Sequence, residues 1–208
     1  MSDADESRRP FIHATADVSS QARIGPGTKV WNLCQIRERV VIGADAVVGH
    51  MAYIGPEVRI GDRCRIFPKV SLDRGVEIGN DVFLAPHVVF TNDNSPRAWK
   101  TRDLTGIRWF VGDGASLGAH VVVLPEVNIG HHAMIAAHST VTRDVPPHGL
   151  VLGTPARLVG WVSTEGYSME KVSRLPDGEL WVCPRTGEEV EIPHDWLERR
   201  WQPNPLST

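Results

Sequence analysis

The chain is poor in cysteine: Cys34, Cys64 and Cys183 are odd in number, and none sits in the C-x-x-C spacing of a zinc or redox site. That excludes a disulfide framework and fits a reducing cytoplasm. Long apolar runs are also missing. No stretch approaches the roughly 18 consecutive apolar residues of a membrane span, and the opening MSDADESRRPF lacks the apolar core of a signal peptide. Neither sign of charge dominates: 22 Lys and Arg against 25 Asp and Glu leave a net −3, giving no ground for a nucleic-acid binder. There is no G-x-S-x-G elbow, no G-x-x-x-x-G-K-S/T phosphate loop and no H-E-x-x-H pair.

What the chain does have is a period of six. Stepping from Ile12 gives Val18, Ile24, Val30, Ile36, Ile42, Val48, Ile54, Ile60, Ile66, Leu72, Ile78, Leu84 and Phe90. After a slip of phase it resumes as Val111, Leu117, Val123, Ile129, Ile135 and Val141. All twenty positions are apolar in a chain that is 41% apolar, a run whose chance frequency is on the order of 10⁻⁸. Gly fills the next position nine times (25, 43, 49, 55, 61, 79, 112, 118 and 130), and a small or β-branched residue fills the fifth nearly throughout. A helical period of 3.6 cannot produce this pattern, whereas short strands joined by tight turns can, with Gly, Asn or Asp where the turn needs positive φ. The expected fold is all-β: a solenoid of about 6–7 triangular coils, each side one hexad long. Cys34 and Cys64 then occupy the small inward position as buried hydrophobes.

The slip of phase lies between Phe90 and Val111, where removal of one hexad leaves 15 inserted residues, Pro96 to Phe110. Arg97, Lys100, Arg102 and Arg108 outnumber Asp103 there, and Trp99 and Trp109 accompany them. A basic, aromatic loop projecting from a rigid prism suits an anionic ligand with a flat ring, such as a nucleotide. Asn92 and Asp93 stand just before it. Asn92 can accept from an amine and donate to a carbonyl oxygen, and Asp93 can hold a hydroxyl or an ammonium.

Three hexads per coil stack residues 18 apart. The ladder Val30, Val48, Ile66, Leu84, Leu117, Ile135 is followed three residues later by Leu33, Met51, Lys69, His87, His120 and His138. Three histidines are therefore expected along one edge. His50, His87 and His120 are candidate proton acceptors by their turn positions. His131 and His132 have only their adjacency to recommend them.

The repeat over residues 12–146 resembles the hexapeptide-repeat acyltransferase superfamily. That resemblance implies a left-handed parallel β-helix, a homotrimer with active sites between subunits, and acetyl-CoA as co-substrate with no metal. Phe90-Thr91-Asn92-Asp93 with Pro96-Arg97, then Gly153-Thr154-Pro155-Ala156-Arg157, then Gly160-Trp161 look more narrowly like the sugar-nucleotide N-acetyltransferases of polysaccharide and O-antigen biosynthesis. Those enzymes acetylate a 3-amino group on a UDP- or dTDP-linked deoxysugar, and the resemblance places Asn92 at the acceptor amine. Asp93, Arg97, Trp99 and Arg102 are then candidate substrate contacts. Ala119 and Ala137, in small-residue turns, with Arg143, Pro155 and Arg157, are candidate coenzyme contacts. A sister acyltransferase with another acceptor (a 4-amino sugar or a hydroxyl), a zinc-dependent hydratase and a non-catalytic subunit are the alternative readings. The family's Cys-rich C-terminal ribbon is reduced here to the single Cys183.

The expected organisation is a loose tail over 1–10, the solenoid over 11–149 with its loop at 96–110, an extension over 150–202, and a loose end at 203–208. Within the extension, Glu179–Cys183 and Glu188–Ile192 are expected to form a hairpin and 194–201 a short helix. Trp161, Trp181, Trp196 and Trp201 offer apolar surface to cap the last coil.

Overall fold

A computed structural model describes residues 8–100 and 108–198. It is a parallel β-solenoid of about 7 turns, consistent with a left-handed β-helix. The twenty hexad positions all lie on strands or bridges. The first face stacks the strands that end at Ile12, Val30, Val48, Ile66, Leu84, Leu117 and Ile135. The second carries Val18, Ile36, Ile54, Leu72, Phe90, Val123 and Val141, and the third Ile24, Ile42, Ile60, Ile78, Val111, Ile129 and Val145. Pairing follows the 18-residue step, as in Val30↔Val48 and Ile36↔Ile54. It stays in register across the insertion, with Leu84↔Leu117 and Ile78↔Val111. At ~4.8 Å per coil the prism stands roughly 30 Å tall.

One large and one small residue per side fill the interior. From Val30 onward the hexad residues are buried, whereas Ile12, Val18 and Ile24 are not, because among the described residues no coil lies beneath them. Cys34 and Cys64 are buried as expected, and each thiol donates to a carbonyl of the next coil, at Gly49 and Gly79 respectively, both at 3.0 Å. Thr28 does the same toward the Gly43 carbonyl at 2.7 Å. A small donor at the fifth hexad position thus ties successive coils together.

The turn chemistry differs in part from expectation. None of the nine hexad glycines has positive φ. Left-handed backbone falls instead on Leu33, Met51, Lys69, His87, His120 and His138 at the corner between first and second faces, here the first corner. It falls on Arg39, Glu57, Gly75 and Glu126 at the second corner, and on Gly27, Asp45, Arg63, Asp81, Gly114, His132 and His148 at the third, so Gly and Asp fill some of these corners as expected. The hexad glycines answer a different need, close stacking: a Cβ on Gly118 would lie 2.5 Å from the Ala137 nitrogen, and one on Gly25 2.5 Å from the Gly43 carbonyl carbon. Most of these left-handed residues are supported by a backbone bond to the coil below, as in Met51 N–H to Asn32 O at 3.1 Å and His138 N–H to Ala119 O at 2.8 Å. These bonds offset a conformation that disfavours L-residues by ~1–2 kcal/mol.

Beyond the last coil the chain folds back as an antiparallel pair, Gly149–Gly153 against Ala156–Trp161, whose Val151 and Ala156 close the solenoid core. The expected hairpin is present as Gly178–Val182 against Glu189–Pro193, and a strand absent from the sequence reading, Glu170–Leu175, joins it to make three. A helix follows over His194–Glu198. Trp161, Trp181 and Trp196 pack within the extension. They gather with Met169, Cys183 and Ile192 into a second core, and Leu158 touches both cores. Trp201 lies outside the described residues.

Candidate functional site

The 18-residue register converts the histidine ladder into a physical stack. At the first corner the His87 and His120 rings are 4.6 Å apart and 6° from parallel, and His120 and His138 are 4.9 Å apart at 11°. The spacing is that of the coils, and the shared left-handed backbone aims all three side chains the same way. Lys69 occupies the rung below, bonded through its N–H to His50 O at 3.0 Å. Desolvation first, then His120 and Lys69, hold the His87 imidazole below the ordinary histidine range, so it is neutral near pH 7. His50 is exposed at the same corner, two coils below His87 and apart from the stack.

Ala119 and Ala137 immediately precede His120 and His138, leaving little side chain over that stretch of backbone. The closing hairpin turns above them: the Thr154 hydroxyl donates to His138 O at 3.2 Å, and Gly153 N–H donates to Ser139 Oγ at 3.1 Å. Pro155 is exposed at this tip. Arg157 lies opposite Leu152 on the returning strand and donates to Ala156 O at 2.9 Å. Ala119, Ala137, Pro155 and Arg157 are therefore gathered near one corner. Arg143 is not among them: it follows the second-face strand Thr140–Val141, with its Nε buried and without a hydrogen-bond partner.

Asn92 and Asp93 sit at the other end of the second face, where Thr91 anchors the chain by N–H and hydroxyl bonds of 3.0 and 3.1 Å to Val123 O. Asn92 lies five positions after His87, at most about 17 Å of extended chain. Within one chain the Asn and the histidine stack thus stand at opposite edges of one face. Asp93 accepts from Ser95 N–H at 2.8 Å, starting the projecting loop, on which Trp99 is 81% exposed. Arg97 is exposed and donates to Pro96 O at 2.7 Å. Arg102 lies outside the described residues.

The far end of the insertion departs from the sequence reading. Trp109 pairs with Val76 and Phe110 with Glu77 as a third-face strand, and the Trp109 ring is buried in the core. Trp109 is a packing residue, because hydrophobic burial and ladder pairing outweigh loop membership there. Arg108 contacts Glu77 at 3.2 Å and Glu57 at 3.8 Å. The Glu57 carboxyl is held below the ordinary carboxylate range, chiefly by its hydrogen bond from Arg39. The loop's end is therefore tied to the scaffold by ions of both signs, and the cations facing outward are fewer than composition suggests. Glu57 and Glu77 carried no sequence signal, since they stand 51 and 31 residues before Arg108. Among the described residues, no group of three or more His, Cys, Asp or Glu is arranged to hold a metal ion.

Fold and repeat together define a hexapeptide-repeat parallel β-solenoid. Residues 21–56 match the family described as bacterial transferase hexapeptide (six repeats). Serine acetyltransferase 4 of Arabidopsis thaliana is 51% identical over 59 residues, 28% of this chain and 17% of that protein. Serine acetyltransferase 2 of the same plant is 51% identical over 49 residues, 24% of this chain and 15% of that protein. The chain thus spans under a fifth of the length of these relatives. Among solved structures, the acetyltransferase domain of PglB from Neisseria gonorrhoeae is 17% identical at a TM-score of 0.46, covering 72% of this chain and 57% of that one. A mutant of GDP-perosamine N-acetyl transferase from Caulobacter crescentus, in complex with CoA and GDP-perosamine, is 24% identical at a TM-score of 0.38, covering 73% and 56%.

Proposed function

We propose that this chain is an acetyl-CoA-dependent N-acetyltransferase that acts on the 3-amino group of a UDP- or dTDP-linked amino sugar. The observation that carries the reading is the pairing of a small-residue corner, Ala119 and Ala137 beside stacked imidazoles, with an Asn-Asp turn at the root of a projecting aromatic loop. The hexapeptide match and the serine acetyltransferase names of the relatives support acyl transfer, and the Phe90–Asp93 and Gly153–Arg157 motifs support a sugar-nucleotide acceptor.

In this reaction the acceptor amine attacks the thioester carbon. A tetrahedral oxyanion forms, the carbon–sulfur bond breaks, and the amine proton leaves as the coenzyme thiol is released. Asn92 orients the amine by accepting from it. A neutral imidazole such as His87 accepts the proton. Ala119 and Ala137 let the backbone approach the pantetheine arm. Since Asn92 and the stack occupy opposite edges of a face, the complete site forms between copies, with the histidine corner of one subunit meeting the loop of another in a homotrimer.

A thiol-release assay with acetyl-CoA against UDP- and dTDP-linked 3-amino and 4-amino sugars tests this reading. Turnover with a 3-amino sugar is expected. Silence across the whole 3-amino set overturns the substrate assignment, and silence across the full panel overturns sugar acetylation.

A further inference from the structure

A second histidine cluster, at the third corner, lies outside the proposed site. His131, His132 and His148 form a triangle of rings with centroids 5.4, 5.2 and 5.1 Å apart. We propose that these three imidazoles are an acid-sensitive latch that holds the C-terminal extension on the last coils and loosens it as pH falls. The inference is independent of acetyl transfer.

The cluster sits at the joint itself. His148 N–H donates to His131 O at 2.9 Å, continuing the ladder of the coil below, and Val162 N–H donates to His148 O at 2.8 Å, bringing in the extension. The His148 Nδ1 lies 2.9 Å from Val162 O. A carbonyl can only accept, so this nitrogen carries the ring proton and Nε2 is the atom that would take a second one. His148 is buried, and the Nδ1 of His132 is buried without a partner. Charging His132 gives that nitrogen a proton with no acceptor, or adds to one already stranded there, beside imidazoles about 5 Å away.

Two carboxylates face the cluster: Asp113 from the preceding coil and Glu188 from the hairpin. Both are already engaged. Asp113 accepts from Asn80 N–H at 2.8 Å, and Glu188 accepts from the N–H and hydroxyl of Thr164, both with Oε2, at 2.9 and 2.8 Å. The latter bonds, with Arg185 4.2 Å over the Tyr167 ring, bind the turn at 163–167 to the hairpin, so the extension moves as one piece.

Desolvation is the leading effect on all three imidazoles and lowers their pKa; on His148 the hydrogen bond to Val162 O comes next and opposes it, and on each ring repulsion from a neighbouring imidazole exceeds the pull of any single carboxylate. Docking therefore favours the neutral rings. Its contribution is complete above the ordinary histidine value of about 6.5 and is lost as pH falls through the depressed docked-state values. Each unit of depression corresponds to about a tenfold change in the docking equilibrium per histidine.

Hydrogen exchange of the full-length protein at pH 7.5 and 5.0, corrected for intrinsic chemistry, tests the latch. The amide of Val162, which bonds across the joint to His148 O, should lose protection at least about tenfold on acidification, while those of Ile54 and Leu72 keep theirs. The double variant His131→Gln, His132→Gln should retain most joint protection. Unchanged protection in the parent protein, or equal loss in the variant, overturns the proposal. Should the variant not fold, NMR titration of the parent's imidazole C–H signals decides. Values for His131, His132 and His148 below the ordinary range sustain the latch, and values within it sink the proposal.

Discussion

Asn92 shows how much one position can carry. It follows Phe90 and Thr91 at the one break in the period, and the fold holds it on a turn fixed by Thr91 to Val123. Its replacement by Ala should lower kcat about a hundredfold through lost orientation of the amine, with the melting temperature unchanged. Steady-state kinetics beside a thermal melt check this; unchanged kinetics remove Asn92 from the site. The cysteines permit a second test at this scale. Burial pushes the Cys34 thiol up, and the Cys64 thiol up to about 11. Cys183 is shifted the other way, first by the Thr186 hydroxyl, yet it too is buried. A disulfide reagent at pH 8 should find no fast-reacting thiol in the native protein and all three after denaturation. A rapidly titrating thiol from Cys34 or Cys64 would contradict their place inside the coils.

At the scale of the coil, sequence and structure agree on which residues face inward and disagree on what the glycines do. Gly27, Gly75 and Gly114 take left-handed corners as the turn rule expects, but most such corners hold Leu, Met, Arg, Lys, Glu, Asp or His. The hexad glycines sit where the next coil leaves no room for a Cβ. Spacing alone cannot separate these needs, because both recur every six residues. Gly118→Ala should therefore destabilise by about 1–3 kcal/mol through overpacking. Leu72→Ala should cost about 2–5 kcal/mol through the cavity it leaves. Denaturant melts give both values, and a neutral Gly118→Ala would show that the coils are not in such close contact.

The insertion and the extension are matters of the whole molecule. Composition marked 96–110 as the loop, but pairing of Trp109 with Val76 and the ion pairs of Arg108 return its last residues to the prism. Excising residues 94–107 in favour of a short turn should leave the solenoid's melting temperature within a few degrees and abolish nucleotide-sugar binding. A deletion reaching through Phe110 should instead unfold the upper coils, since it removes a buried tryptophan. Calorimetry for binding and thermal melts for stability separate the two. The same scale holds the acid-sensitive joint: His131 and His132 carried little weight in the sequence, where His148 stands 16 residues away and outside the repeat.

The sequence by itself determined the coil, its 18-residue register and the alignment of His87, His120 and His138. A period of six is local, and stacking merely repeats it. Only the tertiary structure decided that Asn92 and that stack lie at opposite edges of a face, that Arg108 and Trp109 belong to the scaffold, and that His148 meets His131 and His132. Each of these depends on how the chain re-enters the prism after an interruption. Re-entry is governed by long-range pairing and burial, which leave no period in the sequence.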